Sequence, residues 1–384
     1  MALSPKASAK LISSLSKNVI IKKNCIQDLG NVLVEEIKSG RLSPNNFSQT
    51  DVHPKAEDSW ALEWLFVVDT LNFCFWHHEN DDGWKVESYT GYFALCAAIN
   101  RAQREKPLKN LTVLVRGRDG YYYYLPWRPG RLKFILVTHL LYSPEKTQKT
   151  RDITNSRAGE VDILNPKFYS TINEEQLENI LRSDTKIKCP LISERVKCLH
   201  EVGTVLLEKF DGTFKSVVEK AENSAVKLLK LIIDNFTCFK DEAMYKEHKV
   251  SFYKRAQILI GDIWACFQNR GVGYFDDISE ITAFADYRIP QTLLWYGVFE
   301  YSEDLLKKLN AHEVLKNGDN EEIEIRGCSI HSVELLKEYA TKKLDDGKIN
   351  SILIDHFLWD FRRKHAKEIL ERGLPFHKTF SIYY

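Results

Sequence analysis

Apolar residues returning at steps of three and four along most of the chain constrain its fold more than any other feature. In SFYKRAQILIGDIWACF (251–267), Phe252, Ala256, Leu259, Ile260, Ile263 and Phe267 fall on one face of a helix. The same spacing recurs in EEQLENILRSD (174–184), VGTVLLEKF (202–210), AVKLLKLIIDNF (225–236), EDLLKKL (303–309) and SVELLKEYATKKL (332–344). Segments alternating with period two are few, so the chain reads as mostly α. Start signals agree: Asn173 precedes Glu174 and Glu175, and Ser302 precedes Glu303 and Asp304, capping side chains followed by acids that suit the helix dipole. Pro290 restricts Ile289 to an extended conformation and suits the first turn of the helix that follows.

A length of 384 residues permits two domains or one large one. Apolar residues make up 44% and charged residues 28%, so disorder is not the default. The 54 basic residues nearly cancel the 53 acidic ones, and a net charge of +1 gives no global field to hold a polyanion by counterion release. That disfavours a general DNA or RNA binder. The apolar stretch from Trp60 to Trp76 contains Glu63, Asp69 and Asn72, and no uncharged run of about 18 residues occurs, so no membrane span is expected. Eight cysteines lie at 25, 74, 96, 189, 198, 238, 266 and 328, with no CxxC pair and no compact disulfide spacing. They read as reduced, mostly buried thiols of an intracellular protein, and no zinc site is expected. The first 24 residues are basic and acid-free, as in a mitochondrial transit peptide, but lack arginine and carry Leu11, Ile12 and Leu15 at helical spacing. A cytoplasmic location is therefore expected.

Residues 111–160 differ in texture. They hold a four-tyrosine run, Gly and Pro punctuation and many Arg and Lys, without a sustained helical period. YYYYLPWRPGRLK mixes aromatics with cations as single-stranded nucleic-acid sites do, but such a surface needs a scaffold that this block does not offer. It reads as an irregular insertion, its composition suiting alternative or mispredicted splicing better than a lineage-specific loop, and it is expected to be poorly ordered.

Phosphate-loop, nucleophile-elbow and HExxH motifs are absent. The lone RGVG at 270–273 reads as a turn. What stands out are carboxylates in apolar surroundings: Asp69 in LFVVDTLNFCFW, Asp286 in AFADYRIP, and Asp355 with Asp360 in ILIDHFLWDF. An ionised carboxylate buried without partners costs several kcal/mol or takes up a proton, so each must be capped, paired or functional. Asp355 and Asp360 are five apart, about 140° around a helix, whereas His356 and Asp360 share a face. For both aspartates to reach one ligand, the helix must end or bend, or the ligand insert edgewise. Lys254, beside Arg255 at a helix start, is the best candidate for meeting a phosphate.

The segments DTLNFCFW (69–76), YTGYFALCAAINRA (89–102), ILRSDTKIKCPLISERV (180–196), VSFYKRAQILIGDIW (250–264), ITAFADYRIPQTL (281–293), EIEIRGCSIHSVELL (322–336), INSILIDHFLWDF (349–361) and PFHKTFSIYY (375–384) together resemble the queuosine salvage protein family, the queuosine 5'-phosphate N-glycosylase/hydrolases. The similarity runs from about Leu3 to Tyr384, omitting the insertion. It implies an all-α enzyme of one domain over 1–384, similar in core to helix-hairpin-helix DNA glycosylases. It also implies hydrolysis of the N-glycosidic bond of queuosine 5'-phosphate, releasing queuine for reuse in tRNA modification. The expected partner is that small nucleotide alone, with no metal, organic cofactor, direct nucleic-acid contact or membrane, and a monomer is expected. Carried over position by position, the catalytic aspartate falls on Asp286, base contacts on Phe284, Asp355, His356 and Asp360, and the phosphate contact on Lys254.

The chemistry suits these residue types. Breaking a C1'–N bond develops positive charge on the sugar, which a preorganised carboxylate such as Asp286 stabilises or captures. The leaving 7-deazaguanine has no N7 to protonate, so its departure must be assisted elsewhere, and Asp355 and Asp360 fit its donor edge or cationic side arm. Phe284 would stack on the heterocycle. Two positions depart from the family pattern: Thr50 stands where alignment on Pro54 wants a base-site histidine, leaving His53 as the substitute, and His356 stands where a tyrosine can occur. The rival readings are a non-catalytic α-helical nucleic-acid binder or scaffold, which the neutral charge and the intact Asp286, Asp355 and Asp360 set oppose, and a true DNA glycosylase, for which RGVGYFDDI is too degenerate a hairpin.

Overall fold

The computed structural model describes residues 2–43, 46–55, 57–77, 83–105, 112–116, 122–126, 162–344 and 349–384. The periodic segments form helices near the expected bounds, among them Glu174–Ile180, Ile192–Lys209, Ala225–Asn235, Lys254–Cys266, Glu303–Asn310 and Asn320–Leu344. Asn173 and Gln176 close a reciprocal capping box, and Ser302 Oγ accepts from Leu305 N at 3.2 Å. Strand among the described residues is confined to four two-stranded antiparallel pairs, so the fold is all-α.

One pair, Thr112–Arg116 with Tyr122–Pro126, lies inside the block that sequence reads as irregular, in register from Thr112 opposite Pro126 to Arg116 opposite Tyr122. Its β-branched and tyrosine-rich arms favour such pairing. The rest of that block, and with it the expectation of poor order, falls outside the described residues.

The Lys254–Cys266 helix departs from the single apolar face read from its spacing: twelve of its residues are buried. It can be buried all round because its polar side chains find partners inside. Arg255 donates to the Thr70 and Cys238 carbonyls, and Gln257 donates to Phe252 O and Thr282 Oγ1, both at 2.8 Å. The helix packs on Ser59–Thr70 within the largest apolar cluster. A second cluster gathers Lys23–Lys38, Ile289–Trp295 and Asn320–Leu344. The Ser351–Lys364 helix stands on the seam, giving Ile352 and Leu353 to the first cluster and Ile354 and Leu358 to the second.

Residues Pro5–Leu15 form a helix on Asn320–Leu344. Ile12 is fully buried, and a Cβ at Gly327 would come within 2.6 Å of its side chain, so only glycine lets the two helices approach this closely. No helix among the described residues is long and apolar enough to cross a membrane. All eight cysteines are free.

Candidate active site

A short loop between Ile281 and the Ile289–Trp295 helix carries Phe284 and Asp286, and three buried side chains fix it. Gln257 accepts from Thr282 N at 2.8 Å while donating to Thr282 Oγ1. Asp355 Oδ2 accepts from Phe284 N at 2.9 Å. Arg326 Nε donates to Ala285 O at 3.1 Å. Arg326 is itself held by Asp241 (2.5 Å) and Glu322 (3.2 Å), all three buried, and Asp241 Oδ2 also accepts from Lys254 N at 3.2 Å. One ion-pair cluster therefore sets both the loop and the start of the Lys254 helix.

Asp286 then turns the chain. Its Oδ1 accepts from Arg288 N (2.8 Å) and Ile289 N (2.7 Å), satisfying N–H groups at the mouth of the next helix. This is the cap that composition alone suggests for an aspartate before a helix break. It also corrects the expected extended Ile289, because the bond to Asp286 draws that residue into the first turn, with Pro290 just inside it. Asp286 Oδ2 makes no hydrogen bond among the described residues and is left for the cavity that Asp286 lines.

That cavity encloses about 1740 Å³, above the roughly 300–1,000 Å³ usual for small-molecule sites. Phe284, Lys254, Asp355, His356, Asp360 and His53 all line it, so all seven residues singled out from the sequence converge. Phe284 points the tip of its ring at Gly261 of the Lys254–Cys266 helix, where a Cβ would stand 2.8 Å from Cζ. His356 sits beside it, ring centroids 6.3 Å apart. Asp355 and Asp360 both reach the cavity from an unbroken Ser351–Lys364 helix; no bend is needed, because the cavity wraps around the helix and takes in its faces from Asp355 to Lys364.

His53 stacks on Phe47 at 3.9 Å with its Nδ1 3.0 Å from Phe47 O. The carbonyl fixes the proton on Nδ1 and leaves Nε2, which has no partner among the described residues, as an acceptor. Thr50, at the position the alignment offers instead, also lines the cavity. Burial pushes the His53 and His356 pKa values down to about 4, so both rings are neutral.

Electrostatics divide the carboxylates. Burial, then the Asp286 charge, pushes Asp355 well above the usual carboxylate range, which favours its protonated form. Burial also raises Asp360. Lys254 Nζ lies 3.5 Å from Asn72 O; burial lowers its pKa, while Asp286, Asp69 and Asp355 oppose that. Asp69 lies behind the wall, its Oδ1 accepting from Asn72 Nδ2 at 3.1 Å; burial raises it to about 7.

Sequence reasoning missed Asp262, which lines the cavity and accepts from Tyr92 Oη at 3.2 Å; it lies in ILIGDIWACF and meets the same test as Asp69. It also missed Arg288, Arg362 and Lys378, which the fold collects from three distant segments. The final residues close the wall: Cys74 N donates to Tyr384 O at 2.9 Å, Trp76 Nε1 donates to Thr379 O at 3.1 Å, and Phe376, Lys378 and Tyr384 line the cavity.

Fold and site together define an all-α protein with a large cavity lined by a backbone-anchored carboxylate, an aromatic ring and two further buried acids. The chain belongs to the queuosine salvage protein family, whose sequence model matches residues 52–113 and 150–384 and leaves out a stretch inside the 111–160 block. A mouse protein named queuosine 5'-phosphate N-glycosylase/hydrolase is 37% identical over 391 aligned positions, covering 100% of this chain and 99% of its own. Proteins of the same name from Schizosaccharomyces pombe (32%, 98% of each chain) and Sphaerobacter thermophilus (31%, 92% of this chain and 90% of its own) are also similar.

Proposed function

We propose that the chain hydrolyses the N-glycosidic bond of queuosine 5'-phosphate, giving queuine for tRNA modification and ribose 5-phosphate. The observation that carries this reading is the Asp286 carboxylate, anchored through one oxygen and open to the cavity through the other, on the loop that carries Phe284 and is held by Asp355, in a chain of this family.

In the proposed reaction the base stacks on Phe284, with His356 and the Nε2 acceptor of His53 near its edge. As the C1'–N bond lengthens, its electron pair leaves with the base and positive charge gathers on the ribose, where Asp286 Oδ2 stabilises or captures it. Asp355, kept protonated, donates toward the departing base, and Asp360 meets its polar or cationic arm. Lys254 contacts the 5'-phosphate from the Asp286 side. Water then supplies the hydroxyl on C1', and its remaining proton restores the one that Asp355 gave to the base.

On this reading residues 1–384 form one domain, since the two main apolar clusters share Leu42 and Trp359. The protein acts as a cytoplasmic monomer on a free nucleotide without holding nucleic acid or membrane, which the net charge of +1 supports. Incubating purified protein with queuosine 5'-phosphate and detecting queuine by mass spectrometry tests the activity. Absence of queuine would point to a non-catalytic scaffold.

A further inference from the structure

Among the described residues, several cations that line the cavity make no ion pair, and three of them are drawn together by shared partners. Arg288, Arg362 and Lys378 line it together with Asp286, and none makes an ion pair among the described residues. Gln291 organises the arginines: its Oε1 accepts from Arg288 Nη1 and Arg362 Nε, both at 3.2 Å, while its Nε2 donates to Leu374 O at 2.8 Å and fixes the amide. A neutral acceptor thus gathers two guanidinium groups without cancelling either charge. Phe376 brings in the third cation. The Arg288 guanidinium carbon lies 4.0 Å from its ring centre and the Lys378 ammonium 5.8 Å. Lys378 is only 6% exposed, and its ammonium lies near the rings of Trp76 and Phe376.

Like charges gathered this way repel, and desolvation adds to the cost. Burial, followed by Arg288, lowers the pKa of both Arg362 and Lys378. The carboxylate that acts on both arginines is Asp286, whose Oδ1 is taken by backbone N–H groups. Lys254 differs in its setting: burial lowers its pKa, and Asp286, Asp69 and Asp355 oppose that, which ties it to the carboxylate side of the cavity.

We propose that Arg288, Arg362 and Lys378 form the cradle for the substrate's 5'-phosphate, with Lys254 touching only its Asp286 side; the assignment rests on the function proposed above. Two guanidinium forks and an ammonium match the charge and the three oxygens of a phosphate monoester. The spacing fits one nucleotide. Asp286 and Arg288 are two residues apart, at most about 7 Å of backbone, so a ribose whose C1' faces Asp286 directs its 5' end toward Arg288. The same cradle repels a substrate's cationic arm, which sets the direction in which the nucleotide enters.

The test compares kcat/KM on queuosine 5'-phosphate and on the nucleoside queuosine for Arg362→Gln and Lys378→Gln, with Arg362→Lys and Lys378→Arg as variants that keep the charge. Losing one charged hydrogen-bonding partner predicts a fall of about tenfold to a hundredfold on the nucleotide, a several-fold smaller fall on the nucleoside, and partial recovery in the charge-keeping variants. Equal losses on both substrates, or an unchanged preference for the nucleotide, overturn the cradle while leaving the activity standing. If the wild type cleaves neither substrate, the functional reading fails and calorimetry with ribose 5-phosphate decides the cradle alone: binding lost in Arg362→Gln supports it, and binding retained refutes it.

Discussion

Asparagine at position 286 keeps an oxygen that can accept from Arg288 and Ile289 N–H (2.8 and 2.7 Å) and discards the negative charge. Alanine discards both. The two replacements therefore separate the structural and chemical work of one side chain. Asp286→Asn removes the charge set against a cationic transition state, and a loss of at least about a thousandfold in kcat is expected, equivalent to about 4 kcal/mol. KM should change little, because the base and phosphate contacts remain. Stability should change little, since the acceptor for the Arg288 and Ile289 N–H groups is kept. Asp286→Ala leaves two N–H groups without their acceptor at about 1 kcal/mol each. For 384 residues the unfolding entropy is about 0.8 kcal/mol/K, so Tm should fall by about 2–3 °C. Stopped-time assays of queuine release with calorimetric melting of the three proteins check both halves. Activity surviving in Asp286→Asn would refute the chemical role, and equal Tm losses in both variants would refute the cap.

Other outcomes follow from the same geometry. Lys254→Ala should lose more activity on the 5'-phosphate than on the nucleoside, by a smaller ratio than Arg362→Gln gives; equal losses on both substrates would remove Lys254 from the phosphate. Gly261→Ala pushes a methyl into the Phe284 ring, 2.8 Å from its Cζ; overpacking of about 1–3 kcal/mol is expected, with a several-fold higher KM, and an unchanged KM would remove the platform role. Arg326→Leu strips two buried carboxylates of their partner and should cost about 3–5 kcal/mol in denaturant unfolding. Asp69 has its pKa raised by burial from 3.8 to about 7, so its folded form favours the proton and its stabilising effect, full below 3.8, is lost as pH rises through 7. Asp69→Asn should therefore gain Tm over the wild type between pH 4 and pH 7 and hold a constant lead above that, whereas a gap that does not change with pH contradicts the shift.

Helices were legible because burial imposes a period, and the period survives in one dimension. The Lys254–Cys266 helix shows the limit: spacing marks its apolar residues, but its burial all round depends on carbonyls at Thr70 and Cys238 that only the fold supplies. Asp286, Asp355 and Asp360 could be flagged as carboxylates in apolar runs, yet composition could not separate cap from catalyst, and for Asp286 the cap was real. Their roles came from the family resemblance. The cation cluster was illegible, because Arg288 beside a proline, Arg362 in FRRKH and Lys378 near the end of the chain each read as a solvated charge. What makes them a group is Gln291 and Phe376, and no spacing rule connects positions 288, 362 and 378.

The bonds from Cys74 to Tyr384 and from Trp76 to Thr379 also impose a timetable on synthesis. A ribosome adding about 5–20 residues per second needs roughly 15–60 s to travel from the first member of the Cys74 pair to the second. Throughout that interval the nascent chain carries Trp76 without the strip that later packs on it, an apolar surface of the kind that recruits chaperones. Because Phe376, Lys378 and Tyr384 form one wall of the cavity, a nascent chain has no complete binding site until that strip clears the exit tunnel and docks.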